Sequence, residues 1–557
     1  MAAPDLRSPD AIARAVDEAA DHYRQGRLDA ADKICTRVLK AAPGWFDALH
    51  LAGLVKLDGG KAAAAQALLA RALKLNPGSA PVLANLGRAL FALNRDDDAM
   101  ASLDQALAIA PDSFDAINSR GNVLLKLNRA AEAVAAFERV LALEPRFLGA
   151  RANLGNALTQ LGRFDDALAQ YDAILAAHPT HPETLVNRGS ALASAGRLEE
   201  ALAAYDGALA QRADYGKARI GRGATLAALN RHQEALAEYA TARATDKSNA
   251  DIQHNEALSL LTLGDYRRGF QKYEARWQRA GMPRRKGLGK PLWLGEYPLA
   301  RKTILVHAEQ GLGDVIQFAR YVPQLARGGA KVVMEVHREL VALLSRVEGV
   351  ASVVGRGEAL PAYDVHCPVG SLPLALHTEV STIPANVPYL AAIEERIANW
   401  RERIGQLPSP RIAIAWSGSA DHANDRNRSI ALERLAPLIA GQGSFVSIQR
   451  ELRQGDAAAL AGLPNVTHVG DALADFDDTA AVLALVDLVI SVDTSVVHLA
   501  GAMGRPVWVL LPFQPDWRWL LDREDSPWYP TARLYRQPKP GDWESVIARV
   551  KDALLKL

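Results

Sequence analysis

A period of 34 residues runs through the first half of this chain in three independent residue classes, and it restricts the possible folds more than any other feature. Prolines stand at Pro43, Pro77, Pro111, Pro145 and Pro179, each 34 after the last. Small residues keep the same step at Ala31, Ala65, Ala99, Ala133, Ala167, Ala201, Ala235 and Gly269. So do Gly26, Gly60, Asn94, Asn128, Gly162, Gly196, Asn230 and Gly264. Gly and Asn best tolerate the left-handed backbone that stops a helix. The small residue lets a second helix approach the first, and proline ends the pair before the next begins. A fourth series, Gly53, Gly87, Gly121, Gly155, Gly189 and Gly223, predicts a close contact within the first helix of each pair.

This pattern resembles the tetratricopeptide repeat, a helix-turn-helix unit of 34 residues. The resemblance covers residues 12–283, about half the chain, with seven full units starting near 12, 46, 80, 114, 148, 182 and 216. An eighth unit near 250 is atypical, with Gly269 in the Ala place and a tail ending in Trp277, and is expected to cap the array. The expected fold of this half is an α superhelical repeat array. The resemblance implies a concave surface that receives a protein or peptide. Asn85, Asn153, Asn187 and Asn255 share one position, two residues before the Gly or Ala of the first helix. A ladder of carboxamides can bond an extended peptide, because each offers a donor and an acceptor. The array of the animal O-GlcNAc transferase is known for such a ladder. The alternative is that these Asn sit on a solvated helix face. The acidic run Asp96-Asp97-Asp98 opens a helix and suits its positive end.

Composition narrows the class. Lys+Arg is 64 and Asp+Glu 63, a balance that argues against a nucleic-acid-binding surface. Cys35 and Cys367 are too few for a disulfide framework, which fits a reducing, cytoplasmic compartment. The N-terminus carries acids and lacks the apolar core of a signal peptide, and no apolar run is long enough to span a membrane. With 557 residues, at least two domains are expected.

The second half changes pattern. The stretch 284–301 reads as a linker, rich in Pro, Gly and charge at its start. Residues 303–306 then form a β-branched and aliphatic run, followed by Gly311-Leu312-Gly313-Asp314 and a helical pattern over 315–326. Strand, glycine loop and helix open a nucleotide-binding α/β unit, in which the loop admits a ligand and the helix start favours an anion. Further strands are expected at 331–336, 352–354, 411–416, 444–448, 487–492 and 506–511, with helices between them. This alternation predicts parallel, doubly wound sheets. Two are expected, at 302–392 and 408–540, with a last helix in 541–557. Two such domains facing a cleft describe the GT-B architecture of glycosyltransferases.

Competing motifs are missing: there is no GxxxxGK[ST] loop, no HExxH and no GxSxG. Gly311-Leu312-Gly313 lacks the third glycine of the dinucleotide fingerprint. Asp475-Phe476-Asp477 resembles a metal-binding DxD, but Asp478 is better read as the cap of a helix over 479–485. No metal and no cofactor are expected beyond a nucleotide-sugar substrate. The tail holding Trp517, Trp519, Trp528 and Trp543 reads as packing, with base or sugar stacking as the other use.

Four pieces carry a second resemblance: Gly313-Asp314-Val315-Ile316; the loop 417–432; Val492-Asp493-Thr494-Ser495-Val496-Val497-His498-Leu499; and Gly504-Arg505-Pro506-Val507. Together they resemble the bacterial heptosyltransferase-type group, glycosyltransferase family 9. The whole layout is similar to bacterial O-GlcNAc-transferase-like and flagellin-modifying transferases. The resemblance implies a metal-independent glycosyltransferase that moves a sugar from a nucleotide-sugar to a hydroxyl on a protein held by the array. The alternatives are a lipid or polysaccharide acceptor, or an inactive peptide-binding scaffold. By resemblance, Asp314 is the base that takes the acceptor proton, unless it only caps its helix. Arg428, or Arg426 in the same loop, touches the donor diphosphate. Asp493, Thr494 and Ser495 bring backbone N–H groups to the donor, with Ser495 where the family has Gly. His498 lies on the sugar side or is a buried, backbone-bonded histidine. Ser417 is expected to bond phosphate, and Gln449 the base or ribose.

Overall fold

The computed structural model describes residues 8–279, 288–309, 311–420, 424–440 and 443–556. Residues 280–287, which include the start of the expected linker, lie outside the described residues. The chain divides into two compact units, Met1–Gly221 and Arg222–Leu557.

The first unit consists of helix pairs, from Pro9–Arg24 with Leu28–Ala41 to Pro182–Ser194 with Leu198–Gln211. Each periodic residue does a local job. In both units the eight turn residues have φ between 58° and 81°, the left-handed region that ends the first helix of a pair. Ala31, Ala65, Ala99, Ala133, Ala167 and Ala201 are fully buried. The glycine series is set by contact: a Cβ on Gly53 would stand 2.7 Å from the Leu69 side chain, and one on Gly121 or Gly155 would stand 2.6 Å from Phe137 or Tyr171. A helical Gly costs about 1 kcal/mol against Ala, a loss that the packing of these large side chains offsets.

The second unit holds the last repeats and both sheets. Its array helices include His232–Thr245, Ala250–Thr262 and Tyr266–Tyr273, ending in the 3-10 turn Glu274–Gln278. The strands are β1 (Thr303–His307), β2 (Lys331–Val336), β3 (Val350–Gly355), β4 (Val365–Pro368), β5 (Arg411–Ala415), β6 (Ser444–Ser447), β7 (Val466–His468), β8 (Leu488–Val492), β9 (Val507–Leu511) and β10 (Ala532–Arg536). They form two parallel sheets of order β3-β2-β1-β4 and β10-β9-β8-β5-β6-β7. Strand order reverses beside β1 in the first sheet and between β5 and β8 in the second. Ligands of open α/β sheets bind at such switch points, beyond the carboxyl ends of the strands.

Several sequence expectations are corrected here. Strands β4, β7 and β10 are additional: two are three or four residues long, and β10 is a charged edge strand, ARLYR. The expected helix over 315–326 begins earlier, at Leu312–Phe318, turns as a 3-10 helix at Ala319–Tyr321 and resumes as Val322–Arg327. Pro323 cannot donate to a continuous helix, so the break falls just before it. Within the second unit the last repeat shares a core with the sheets. Tyr266 and Phe270 meet the Trp517 ring at centroid distances of 5.8 and 5.5 Å, and Trp528 donates to the Tyr266 hydroxyl at 3.1 Å. The aromatic tail is thus packed inside this unit. Asp475, not Asp478, caps the helix Phe476–Leu485, accepting from the N–H groups of Asp477 and Asp478. Asp477 pairs with Arg346, and Asp478 with Arg396 and the Trp400 indole. No group of three or more His, Cys, Asp or Glu among the described residues is arranged to hold a metal ion, and no helix there is long and apolar enough to cross a membrane.

Candidate functional site

The site lies where β1, β5 and β8 end. After β1, Gly311 starts the helix Leu312–Phe318, and its N–H donates to the Asp314 carboxylate at 2.9 Å. Asp314 therefore caps its helix, and its second oxygen takes a hydrogen bond from Arg518. Arg518 also donates to Asp516 at 2.8 Å and to Gln317 at 2.5 Å. Burial works against the Arg518 charge, but the Asp516 and Asp314 carboxylates more than offset it and raise its pKa. Its side chain is 9% exposed, so it is a buried cation held between two acids.

After β8, Thr494 precedes the helix Ser495–Ala502. The two helix starts meet: a Cβ on Gly313 would lie 2.6 Å from His498 Cδ2 and 3.5 Å from Ser495 Cα. Gly313 is thus required by a neighbouring side chain, whereas a Cβ on Gly311 meets nothing nearer than Asp314 Oδ2 at 3.5 Å. His498 bonds the Tyr529 hydroxyl through Nδ1 at 3.0 Å and stacks on Trp519. Burial, and then the Arg518, Arg320 and Arg428 cations, hold its pKa well below the usual value, so the imidazole is neutral. Its Nε2 stands 4.0 Å from Asp493. Burial, reinforced by the Asp516 carboxylate, pushes Asp493 up to about 6.

The loop after β5 supplies the third wall. Arg428 donates to the Asp493 carbonyl at 2.9 Å and presses on Gly418, where a Cβ would lie 2.3 Å from its guanidinium. Ser417 is 5% exposed, and its Oγ has no hydrogen-bond partner among the described residues. Its neighbour Gly418 lies against the Arg428 guanidinium, and a hydroxyl and a guanidinium on one loop are groups that suit phosphate oxygens. Arg426 is exposed on the short helix Asp425–Arg428. Gln449 is buried and engaged: its Oε1 accepts from the Trp416 and Ser417 N–H groups, and its Nε2 donates to the Ser417 carbonyl. It holds the loop in place, which leaves little of it for a base or ribose.

The Asn positions of the array are drawn into contacts of their own. Asn85 meets His50 at 3.0 Å and accepts from Arg88, and Asn153 donates to Asn122 at 2.9 Å, across neighbouring repeats. Asn187 and Asn255 are half-buried. A cavity of about 330 Å³ lies beside Arg88, Asn118 and Asn122. Asp96 and Asp98 pair with Lys126 and Arg95.

Sequence reasoning missed Arg518, Gln317 and Tyr529. For Arg518 the signal was the aromatic stretch WRW around it, which marks a buried segment but not its partners.

Comparison with known proteins supports the repeats. Tetratricopeptide repeat models match residues 56–119, 118–182 and 186–250. These residues form a tetratricopeptide repeat array, followed by an α/β region with parallel sheets. Protein FlbA of Caulobacter vibrioides is 29% identical over 331 residues, and the match spans 55% of this chain and 55% of that protein. Among solved structures, a tetratricopeptide repeat protein from Parabacteroides merdae is 16% identical, covering 45% of this chain and 98% of its own, with a TM-score of 0.39. YrrB, described as a TPR protein with an unusual peptide-binding site, is 23% identical over 33% of this chain and 95% of its own, with a TM-score of 0.28.

Proposed function

We propose that the chain is a metal-independent glycosyltransferase of the GT-B architecture, acting on a protein hydroxyl presented by the repeats. The observation that carries this reading is the meeting of two helix starts at the switch points of two parallel sheets, where Gly313 touches His498. Asp314 stands on one side of that contact, and Arg428 and the orphaned Ser417 hydroxyl belong to the other sheet.

The chemistry follows from these groups. A nucleotide-sugar binds with its diphosphate toward Ser417, Arg428 and the start of the helix Ser495–Ala502, whose N–H groups and dipole favour an anion. The acceptor oxygen forms a bond to the anomeric carbon and its proton passes to the Asp314 carboxylate. The bond from that carbon to the diphosphate oxygen breaks, and the nucleoside diphosphate leaves with the electron pair. Arg428 balances the charge that develops there. Neutral His498, fixed by Tyr529, lines the sugar side of the contact. The carboxamides on the array bind the acceptor backbone.

One observation favours a second reading. Both Asp314 oxygens are already engaged, one by Arg518 and one by the Gly311 N–H, which leaves neither free to take an acceptor proton. A scaffold that binds nucleotide-sugars without turnover would have such a site. The experiment is a donor screen by intact-mass spectrometry, with purified protein, a set of nucleotide-sugars and a lysate of the source organism, beside Asp314→Ala. A discrete mass gain on one protein, lost in the variant, supports transfer to protein. Bound donor with no gain on any protein supports the scaffold, and sugar transfer to lipid alone sinks the protein acceptor.

A further inference from the structure

Glu309, on the segment between β1 and the Asp314 helix, is tied to the end of the array by a buried ion pair that the transfer chemistry above does not use. Arg276 stands in the 3-10 turn Glu274–Gln278 and is 1% exposed. It donates to both oxygens of Glu309, from Nη2 at 2.9 Å and from Nε at 3.1 Å. It also donates to Glu274 at 2.6 Å, to the Ser371 hydroxyl at 2.7 Å and to the Tyr273 carbonyl at 3.1 Å. The Tyr273 and Trp277 rings lie within 4.6 and 4.7 Å of the guanidinium carbon.

Glu309 lies two residues beyond β1 and five before Asp314. It accepts the Gly370 N–H at 2.9 Å, and a Cβ on Gly370 would lie 2.3 Å from its oxygen. One carboxylate thus joins the segment after β1 to the turn after β4, across the switch point of the first sheet. Burial raises the Glu309 pKa, with Arg276 acting against it. For Arg276, burial opposes the charge and the Glu309 and Glu274 carboxylates overcome it.

Stability alone does not account for this pair. Exchanging a buried ion pair for apolar residues of similar volume is often neutral or stabilising, whereas removing one partner is costly because it strands a charge. What the pair does supply is direction: a bidentate guanidinium–carboxylate contact fixes orientation as well as distance. Asn230 makes a second tie from the repeats, donating at 2.7 Å to the Phe513 carbonyl beyond β9.

We propose that Arg276 is a positioning residue for the transfer: through Glu309 it holds the segment that carries Asp314, so the end of the repeat array is part of the reaction site and not only an arm that recruits the acceptor. The proposal rests on reading Asp314 as the base.

The test uses the full chain with Arg276→Met, Glu309→Leu and the double Arg276→Met/Glu309→Leu. Each is measured for Tm, for hydrogen exchange of the amides at 311–318, and for kcat and donor KM with whichever nucleotide-sugar the screen identifies. The double variant is expected to be more stable than either single variant, because neither half of the pair is left without the other, although Glu274 and the Gly370 N–H lose a partner in it. Its exchange at 311–318 should rise about tenfold, and kcat should fall about a hundredfold, the cost of misplacing a reacting group by about 1 Å, with donor KM unchanged. Wild-type exchange at 311–318 in the double variant would overturn the proposal whatever the activity, and so would a double variant as unstable as the single ones, which would make the pair a stability element. A rise in donor KM at constant kcat would overturn it too. Faster exchange in a chain whose wild type transfers nothing would leave the mechanical tie standing and remove the role of Asp314 instead.

Discussion

The two glycines before Asp314 look alike in sequence and differ in the fold, which makes Gly313→Ala a sharp test of the site. Its Cβ would lie 2.6 Å from His498 Cδ2, about 0.8 Å short of ordinary contact. His498 cannot retreat easily, because Tyr529 holds its Nδ1 at 3.0 Å and Trp519 stacks on its ring. Overpacking of this kind costs about 1–3 kcal/mol. Replacing a helical Gly by Ala returns about 1 kcal/mol, which leaves a net loss of up to about 2 kcal/mol. An unfolding entropy of about 2.1 cal/mol/K per residue, over a unit of more than three hundred residues, converts this to a Tm lower by up to about 3 °C. If the two helix starts separate by on the order of 1 Å, transfer falls about a hundredfold. The control is Gly311→Ser, where the new Cβ meets only Asp314 Oδ2 at 3.5 Å and Ser is a good N-cap. Calorimetry and the transfer assay are run side by side. Equal Tm and equal turnover in the two variants would refute the contact between the helix starts and the reasoning built on it.

Other outcomes follow from the same geometry. Arg428→Ala should weaken nucleotide-sugar binding by about tenfold or more, as loss of a charge-assisted contact of about 1.5–3 kcal/mol implies; unchanged affinity by titration calorimetry would remove Arg428 from the donor site. Asp493 is an acid whose folded pKa, about 6, lies above its ordinary value, so its contribution to stability is complete below pH 4 and is lost as pH rises through 6. Asp493→Asn should therefore flatten the fall in stability between about pH 4 and 6 in urea titrations, and an unchanged slope would contradict the shift. Gly155→Ala, which drives a Cβ to 2.6 Å from Tyr171, should destabilise the first unit by up to about 2 kcal/mol, the overpacking cost less the helical gain of Ala; a variant more stable than wild type by circular dichroism would show that the ring can move.

What could be read in the sequence divides along a physical line. The 34-residue period was legible because each of its residues answers a local demand. A left-handed turn selects Gly or Asn from its own φ, and an Ala between two helices is selected by the nearest neighbour in the repeat. The strands were legible where both faces are buried, as in β2 and β8, since their apolar runs need no partner to be recognised. β4, with a His and a Pro in four residues, had no such run. The sequence shows that the DxD-like acids cap a helix but not that Asp475, instead of Asp478, is the cap, because a cap depends on where the first N–H groups point.

The sequence by itself therefore determined the repeat unit, the parallel character of the second half, and the stretches in which strands end in glycine loops and helix starts. Only the tertiary structure decided which of those stretches meet. Gly313 is held open by a histidine 185 positions away, and Asp314 is paired with an arginine 204 positions away. The array's end is tied by Arg276 to the start of the first sheet. These are contacts between side chains whose positions depend on the whole path of the chain, and no local propensity encodes them.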